Sequence, residues 1–217
     1  MTDETTTSTE GQLEAIVADA APAPQKKVDV PAIPIFGKYD TTKIEMPDVG
    51  LARYISLDSV GVLHHGARHA NKHFGKTKVH VVERLINDIM RTEVYQGKKS
   101  KAHKAVEDAF EIIAAKTKEN PVQVLVAAIV NAAPREEITR LRYGGINVPK
   151  SVDVAPLRRL NVAIRHLAMG GTEASFKSTK PIAQCIAEEI MKAARNDQQS
   201  YAVGKKDEVE RVAKSAR

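Results

Sequence analysis

One segment of this chain is apolar on nearly all sides, and it fixes where the core of the fold must lie. It runs from Val122 to Ala133 with the sequence VQVLVAAIVNAA. Asn120 and Pro121 precede it, a pair typical of a helix start because Asn caps free N–H groups and Pro fits the first turn. A helix that is apolar all round belongs in a core. We therefore predict a central helix around which other elements pack.

Amphipathic stripes on both sides of this segment predict further helices. Apolar residues recur at intervals of three and four in the stretches 82–89, 106–113, 157–167 and 182–193. The third of these helices is predicted to stop at Gly170-Gly171. A last helix is predicted after Gly204, with acids early and bases late, as the helix dipole favours.

The period changes to alternation around a pair of glycines. Alternating residues run from Ile138 to Tyr143 and from Ile146 to Val154, and Gly144-Gly145 lies between the two runs. Glycines supply the positive φ of a tight turn, so a β-hairpin is predicted at about residues 137–155. The predicted fold is mainly α, a bundle of about six helices with one protruding β-hairpin.

The charge of the chain divides it into two parts. The whole chain has a formal net charge of +6, but residues 1–34 hold six acids and two bases, leaving 31 bases and 21 acids elsewhere. We predict that residues 1–34 form an acidic, disordered tail and that residues 35–217 form one domain. Within it, Ile35-Phe36-Gly37-Lys38-Tyr39 should dock on the core, and residues up to 80 should be mostly irregular. A net charge of +10 favours a polyanionic partner.

The cellular compartment is inferred from the absence of paired cysteines, membrane spans and a signal peptide in the sequence. Cys185 is the one cysteine, and its apolar neighbours indicate a small buried hydrophobe. The absence of a disulfide framework favours a reducing compartment. There is no apolar run of membrane-spanning length and no signal-peptide pattern at the N-terminus. We expect a cytoplasmic protein without a membrane partner.

The most informative basic residues lie on the predicted hairpin and on the helix after it. Arg158 and Arg165 are seven residues apart, which places them about 20° apart on a helix, and we expect them to project outward with Arg159 beside them. Arg140 and Arg142 share one strand face. From Arg140 to Arg165 there are five arginines and one lysine against a single acid, Asp153. A surface that serves solubility alone mixes signs more evenly, so this pattern favours phosphate contacts.

Two more basic clusters lie towards the N-terminus. Lys98, Lys99, Lys101 and Lys104 mark a helix start, where free N–H groups favour a phosphate. Their Gly-Lys-Lys-Ser sequence lacks the spacing of a nucleotide-binding loop. The other cluster lies in the acid-free, histidine-rich stretch from residue 64 to 80 and contains Arg68, Lys72, Lys76 and Lys78.

No catalytic, metal or cofactor site is predicted. His65, His69 and His73 have helical spacing, but no cysteine or carboxylate accompanies them, so an RNA-facing segment is preferred over a metal site. There is no nucleophile elbow, dinucleotide loop or carboxylate cluster. Two rivals stay open: a DNA-binding or chromatin protein, which dimer symmetry would favour, and an RNA-processing enzyme, which would need paired carboxylates in a cleft.

Several motifs in order resemble one family. They are Ile35-Phe36-Gly37-Lys38, Gly97-Lys98-Lys99, the stretch 119–126 (ENPVQVLV), 134–137 (PREE), 152–154 (VDV), 156–159 (PLRR) and 205–215 (KKDEVERVAKS). Together they resemble the universal small-subunit ribosomal protein seven family in its archaeal and eukaryotic form, called protein five in eukaryotes. The resemblance covers about residues 35–217.

The resemblance implies a structural, non-enzymatic constituent of the small ribosomal subunit. It implies primary binding to the 3′ major domain of small-subunit rRNA, early assembly of the head, and a place at the tRNA exit site. Neighbouring head and platform proteins, exit-site tRNA and mRNA are the implied partners, with the hairpin near the last two.

The resemblance also places Lys98, Lys99, Arg158, Arg159 and Arg165 at basic RNA-facing positions. Tyr143, beside the Gly144-Gly145 tip, is placed to stack on a base. The full set of candidate RNA-binding residues is Arg68, Lys72, Lys76, Lys78, Lys98, Lys99, Lys101, Lys104, Arg140, Arg142, Tyr143, Lys150, Arg158, Arg159 and Arg165.

Overall fold

The computed structural model describes residues 33–217, which form seven α-helices and one antiparallel hairpin. The elements are α1 (Val49–Ala52), α2 (Val81–Ile89), α3 (Lys99–Thr117), α4 (Pro121–Ala132), β1 (Glu136–Tyr143), β2 (Ile146–Asp153), α5 (Pro156–Ser175), α6 (Ile182–Ala194) and α7 (Tyr201–Ser215). Single 3-10 turns, Gly75–Lys78 and Glu93–Tyr95, flank α2. The predicted fold class, mainly α with one β-hairpin, is confirmed.

Part of the predicted organisation cannot be placed on this structure. Of the tail predicted over residues 1–34, all but Ile33 and Pro34 lie outside the described residues. Among the helices of residues 33–217, none has the length and apolar character needed to cross a membrane.

Helix α4 lies at the centre of the core, as its all-round apolar sequence predicts. Eight of its twelve residues are buried, and it packs against α3, α5, α6 and α7. The Asn120 side chain accepts a hydrogen bond from the Val122 N–H at 3.0 Å, and Pro121 follows it as the first helical residue. The start signal and the burial pattern of this helix are therefore both confirmed.

The prediction that a helix stops at Gly170-Gly171 is wrong. Helix α5 continues through both glycines to Ser175 because they permit close packing against α6 and α7. A Cβ on Gly171 would lie 2.7 Å from Ile186 Cγ1, and one on Gly170 would lie 2.9 Å from Tyr201 Cβ. These glycines are sites of close approach between helices and do not break their own helix.

The last helix also begins earlier than predicted. Helix α7 starts at Tyr201, and the Ser200 hydroxyl accepts a hydrogen bond from the Val203 N–H as its cap, at 3.4 Å. Gly204 is thus inside the helix. The cap is fixed from outside, since the Ser200 hydroxyl also donates to the buried Glu189 carboxylate at 2.7 Å. Because Glu189 belongs to α6, a neighbouring helix holds this cap in place.

The N-terminal part of the domain is largely irregular and is held by aromatic packing, as predicted. Ile35 is buried, and Phe36 makes an edge contact with Phe110 of α3, with ring centroids 5.9 Å apart. Tyr39 contacts the same ring at 6.2 Å. The predicted docking of residues 35–39 on the core is therefore confirmed.

The hairpin is a regular two-stranded ribbon with a two-residue turn. Tyr143 pairs with Ile146, and Gly144 and Gly145 have φ of 53° and 90°. Positive φ at both turn positions matches the twist of the strands, and glycine adopts it without strain. The turn predicted from the glycine pair is confirmed.

Candidate nucleic-acid interface

The base of the hairpin is fastened to the helical core. The Arg158 guanidinium donates two hydrogen bonds of 2.6 Å to the Glu137 carboxylate, and Arg217 pairs with Glu136. The Ser151 N–H donates to the Ala216 carbonyl at 3.3 Å. Helices α5 and α7 therefore both brace the first residue pairs of the ribbon.

The outer half of the hairpin has two chemically different faces. Directly paired residues share a face, so Arg140 and Arg142 lie together on one side with Pro149 and Asn147. The opposite face carries Leu141, Tyr143, Ile146, Val148 and Lys150. Tyr143 is 64% exposed and Ile146 is 70% exposed. The ribbon thus presents one basic face and one mostly apolar face to its surroundings.

The three arginines of helix α5 have different roles in the structure. Arg165 is exposed, whereas Arg158 is exposed but holds Glu137. The pair lowers the pKa of Glu137, chiefly through the hydrogen bonds from Arg158. The expectation that Arg159 projects outward is wrong. Its side chain is only 13% exposed and pairs with Asp48 at 3.0 Å, because Asp48, the cap of α1, packs against that side of α5.

The lysines at the start of α3 are mostly free to meet a ligand. Lys98, Lys101 and Lys104 are exposed, and no side chain of the described residues caps this helix end. Lys99 differs, because its ammonium group donates to the buried Glu83 carboxylate at 2.7 Å. The helix start therefore combines uncapped N–H groups with three exposed cations.

The basic segment from residue 64 to 80 is tied to α2 through the same carboxylate. Glu83 accepts a hydrogen bond from the His65 N–H at 3.0 Å, and its oxygen lies 2.6 Å from His65 Nδ1. Burial opposes ionisation of Glu83, but hydrogen bonds from Lys99 and His65 outweigh it and lower the pKa of that carboxyl. Arg68, Lys72 and Lys78 remain exposed on the segment. Glu83 thus positions two basic clusters against each other.

Ion pairing separates the candidate residues into two groups. Three of the fourteen basic candidates pair with an acid: Lys99, Arg158 and Arg159. Within residues 33–217 no acid lies at ion-pair distance from the other eleven, which are Arg68, Lys72, Lys76, Lys78, Lys98, Lys101, Lys104, Arg140, Arg142, Lys150 and Arg165. Such cations are complementary to a polyanion.

Two further arginines were missed from the sequence. Arg91 stands with Arg165 in a cleft of about 520 Å³ between α2 and α5, and Arg84 is buried in α2 beneath the basic segment. Partial burial lowers the pKa of Lys76; Asp88 opposes this shift, and Arg84, Arg91 and Arg165 add to it. No local signal identified Arg84, because it lies outside the apolar stripe of its helix on a helical projection.

The histidines and the cysteine have structural surroundings. The rings of His65 and His69 stack with centroids 6.0 Å apart. Among residues 33–217 no three metal-ligating side chains lie close enough together to hold a metal ion. Cys185 is buried, and burial raises the pKa of its thiol, which disfavours the nucleophilic thiolate.

These features define a class of protein: a basic, mainly helical domain whose exposed cations and protruding ribbon complement a polyanion. Comparison with known proteins adds the family. The model of the family described as ribosomal protein S7p/S5e matches residues 53–217. The chain therefore belongs to that ribosomal protein family, and the resemblance read from its motifs is confirmed.

The relatives show which branch of the family it joins. Small ribosomal subunit protein uS7 of Picrophilus torridus is 57% identical over 84% of this chain and 98% of that protein. The protein of the same name from Thermoplasma volcanium is 56% identical over 84% of this chain and all of that protein. The one from Archaeoglobus fulgidus is 55% identical over 84% of this chain and 94% of that protein. The chain is thus of the archaeal type.

Proposed function

We propose that this protein is a structural constituent of the small ribosomal subunit that binds rRNA directly and has no enzymatic role. It is a primary binder of the 3′ major domain and nucleates assembly of the subunit head in the cytoplasm. The observation that supports this best is the set of eleven basic residues without an acidic partner in residues 33–217. Cations that are not neutralised within the protein are available to phosphates.

The proposed anchors lie on rigid elements. Lys101 and Lys104 are on α3, whose inner face packs into the core, and Arg165 is on α5. Side chains held on packed helices lose less entropy when they meet RNA than those on loops. Anchoring by these helical faces therefore suits a protein that binds rRNA early, before neighbouring proteins arrive.

The hairpin is proposed to probe a different partner. It lies at the tRNA exit site near exit tRNA and mRNA, with Arg140 and Arg142 contacting phosphates and Tyr143 stacking on a base. Neighbouring head and platform proteins complete its surroundings. The exposure of Tyr143 and the separate basic face support this division of labour.

The test is a comparison of two rRNA fragments of equal length and charge. The full chain should bind a 3′ major domain fragment at least about 100-fold more tightly than a 5′ domain fragment at about 150 mM salt, because specific contacts add to the electrostatic attraction that both fragments share. Hydroxyl-radical footprinting of the bound fragment locates the contacts. Equal affinity for both fragments would contradict primary binding to the 3′ major domain.

A further inference from the structure

Arg84 is a buried arginine with no carboxylate at ion-pair distance among residues 33–217. It is 2% exposed, and its guanidinium donates to the Tyr54 carbonyl at 3.2 Å and to Asn161 Oδ1 at 2.7 Å. In the part of the chain that the structure describes, its Nε has no partner, and Asp88 pairs with Arg91 instead. Burial lowers the pKa of Arg84 to about 10, with Asp88 opposing the shift, so the group stays charged at neutral pH. A buried charge without a directly paired counter-charge destabilises the fold, so its presence calls for an explanation.

A pocket of about 330 Å³ lies against this arginine. The basic segment from residue 64 to 80, α2 and the first turn of α5 form its walls. Its cationic lining consists of Arg84, Lys72 and Lys76, and Asp88 is the one acid in the lining. His65 and His69 complete the polar wall, and the pKa of His69 is lowered by desolvation and by the cations around it. The pocket is therefore electropositive.

The turn that shapes this pocket is tightly constrained. A Cβ on Gly75 would lie 2.3 Å from the His69 carbonyl oxygen, so only glycine allows the chain to fold back here. Phe74 has a φ of 53°, a left-handed conformation that is unfavourable for an aromatic residue. Strain of this kind is found where a fixed backbone shape serves a ligand. Here the turn brings Lys72 and Lys76 to the same pocket as Arg84.

We propose that this pocket binds one phosphate group of the rRNA backbone, with Arg84 at its base and Lys72 and Lys76 at its rim. The planar guanidinium suits phosphate oxygens, and hydrogen bonds between charged groups are stronger when desolvated. This inference rests on the rRNA binding proposed above and adds a buried anchor to it. A phosphate would also supply the direct ion-pair partner that Arg84 lacks within residues 33–217.

Phosphate interference on the full chain tests the proposal. Single methylphosphonate linkages, which are uncharged, are placed one at a time along the footprinted part of a 3′ major domain fragment. One position should weaken binding of the unaltered protein by about tenfold, as expected for a lost bond between charged groups. The same substitution should have little further effect on Lys76→Gln, because the contact is already weakened. Lys104→Gln, outside the pocket, should keep the full tenfold effect.

The variant Arg84→Met provides a second test of the same phosphate contact. If this variant shows a cooperative melt, the methylphosphonate substitution should no longer weaken its binding. If the variant does not fold, the comparison of Lys76→Gln with its control Lys104→Gln tests the pocket by itself. Identical interference maps for the unaltered protein and Lys76→Gln would overturn the pocket while leaving rRNA binding intact. An unaltered protein that does not bind the fragment would overturn both this inference and the proposed function.

Discussion

The helical core and the outer half of the hairpin use apolar residues in opposite ways. Ile129 of α4 is fully buried, whereas Ile146 at the hairpin tip is 70% exposed. The core residue excludes water and stabilises the fold, and the tip residue lies mostly in solvent beside Tyr143. The difference teaches that stability and contact with partners reside in separate parts of this chain. Basic residues follow the same division, since some are paired inside the protein and others are not.

The largest effect is expected from shortening the same residue type in both regions. Ile129→Ala should lower the free energy of unfolding by about 2–5 kcal/mol, because it leaves a cavity in the central helix. Ile146→Ala should change it by less than about 0.5 kcal/mol, since the side chain is already in water. Chemical denaturation of both variants measures the contrast. Equal losses would show that the tip is part of the folded core.

Acid should weaken the core through His80. His80 caps α2, its Nδ1 accepting from the Val82 N–H at 3.1 Å, and burial lowers its pKa to about 4. The unfolded chain, with a pKa near 6.5, binds more protons between these values. This stabilisation is therefore present above about pH 6.5 and is lost as the pH falls towards 4, by about 3 kcal/mol.

His80→Asn is the matched variant for this pH dependence. Asparagine caps a helix but does not titrate, so the variant should retain α2 and lose this part of the pH dependence. Thermal melts between pH 4 and 7 provide the measurement. A variant with the same pH profile as the unaltered protein would assign the acid sensitivity to groups other than His80.

A smaller contrast is expected between two arginines on the same helix. Arg159→Gln should lower the free energy of unfolding by about 1–3 kcal/mol, because it leaves the half-buried Asp48 without its partner. Arg165→Gln should leave stability within about 0.5 kcal/mol and weaken rRNA binding. Melting curves and filter binding on both variants separate the effects. If Arg165→Gln unfolds the protein and Arg159→Gln does not, the division by pairing is wrong.

The smallest change in stability is expected from removing the tip. Deletion of residues 143–148 should shift the melting temperature by no more than about 2 °C, because α5 and α7 brace only the hairpin base. Incorporation into subunits should remain near normal. The defect should appear as altered tRNA release or frameshifting in purified subunits. Loss of incorporation without a translation defect would mean that the hairpin is the anchor.

The patterns that depend on neighbouring residues were readable from the sequence. The apolar run of α4 and its Asn120-Pro121 start, and the Gly144-Gly145 turn with its alternating strands, each express a local rule. Such rules give an element its type before any packing is known. They also identified the candidate clusters, since charge excess is a property of a segment.

The features that depend on distant residues could not be predicted. Nothing near Gly171 shows that Ile186 of α6 will press against it, so the glycine looked like a helix end. Arg159 and Arg165 both lie outside the apolar stripe on a helical projection, and only the fold reveals that Asp48, 111 residues before Arg159, pairs with it. Tertiary partners therefore decide which basic residues remain available.

The central claim is that rRNA is held by the cations without an acidic partner, and the salt dependence of affinity tests it most directly. Lys101→Gln with Lys104→Gln should reduce the slope of log affinity against log salt by about 1.4 to 1.8, the value for two lost phosphate contacts. The matched control is Lys38→Gln with Lys205→Gln, because these lysines pair with Glu111 and Glu208. The control should keep the slope of the unaltered protein. Equal slopes for all three proteins, or a loss only in the control, would contradict the account.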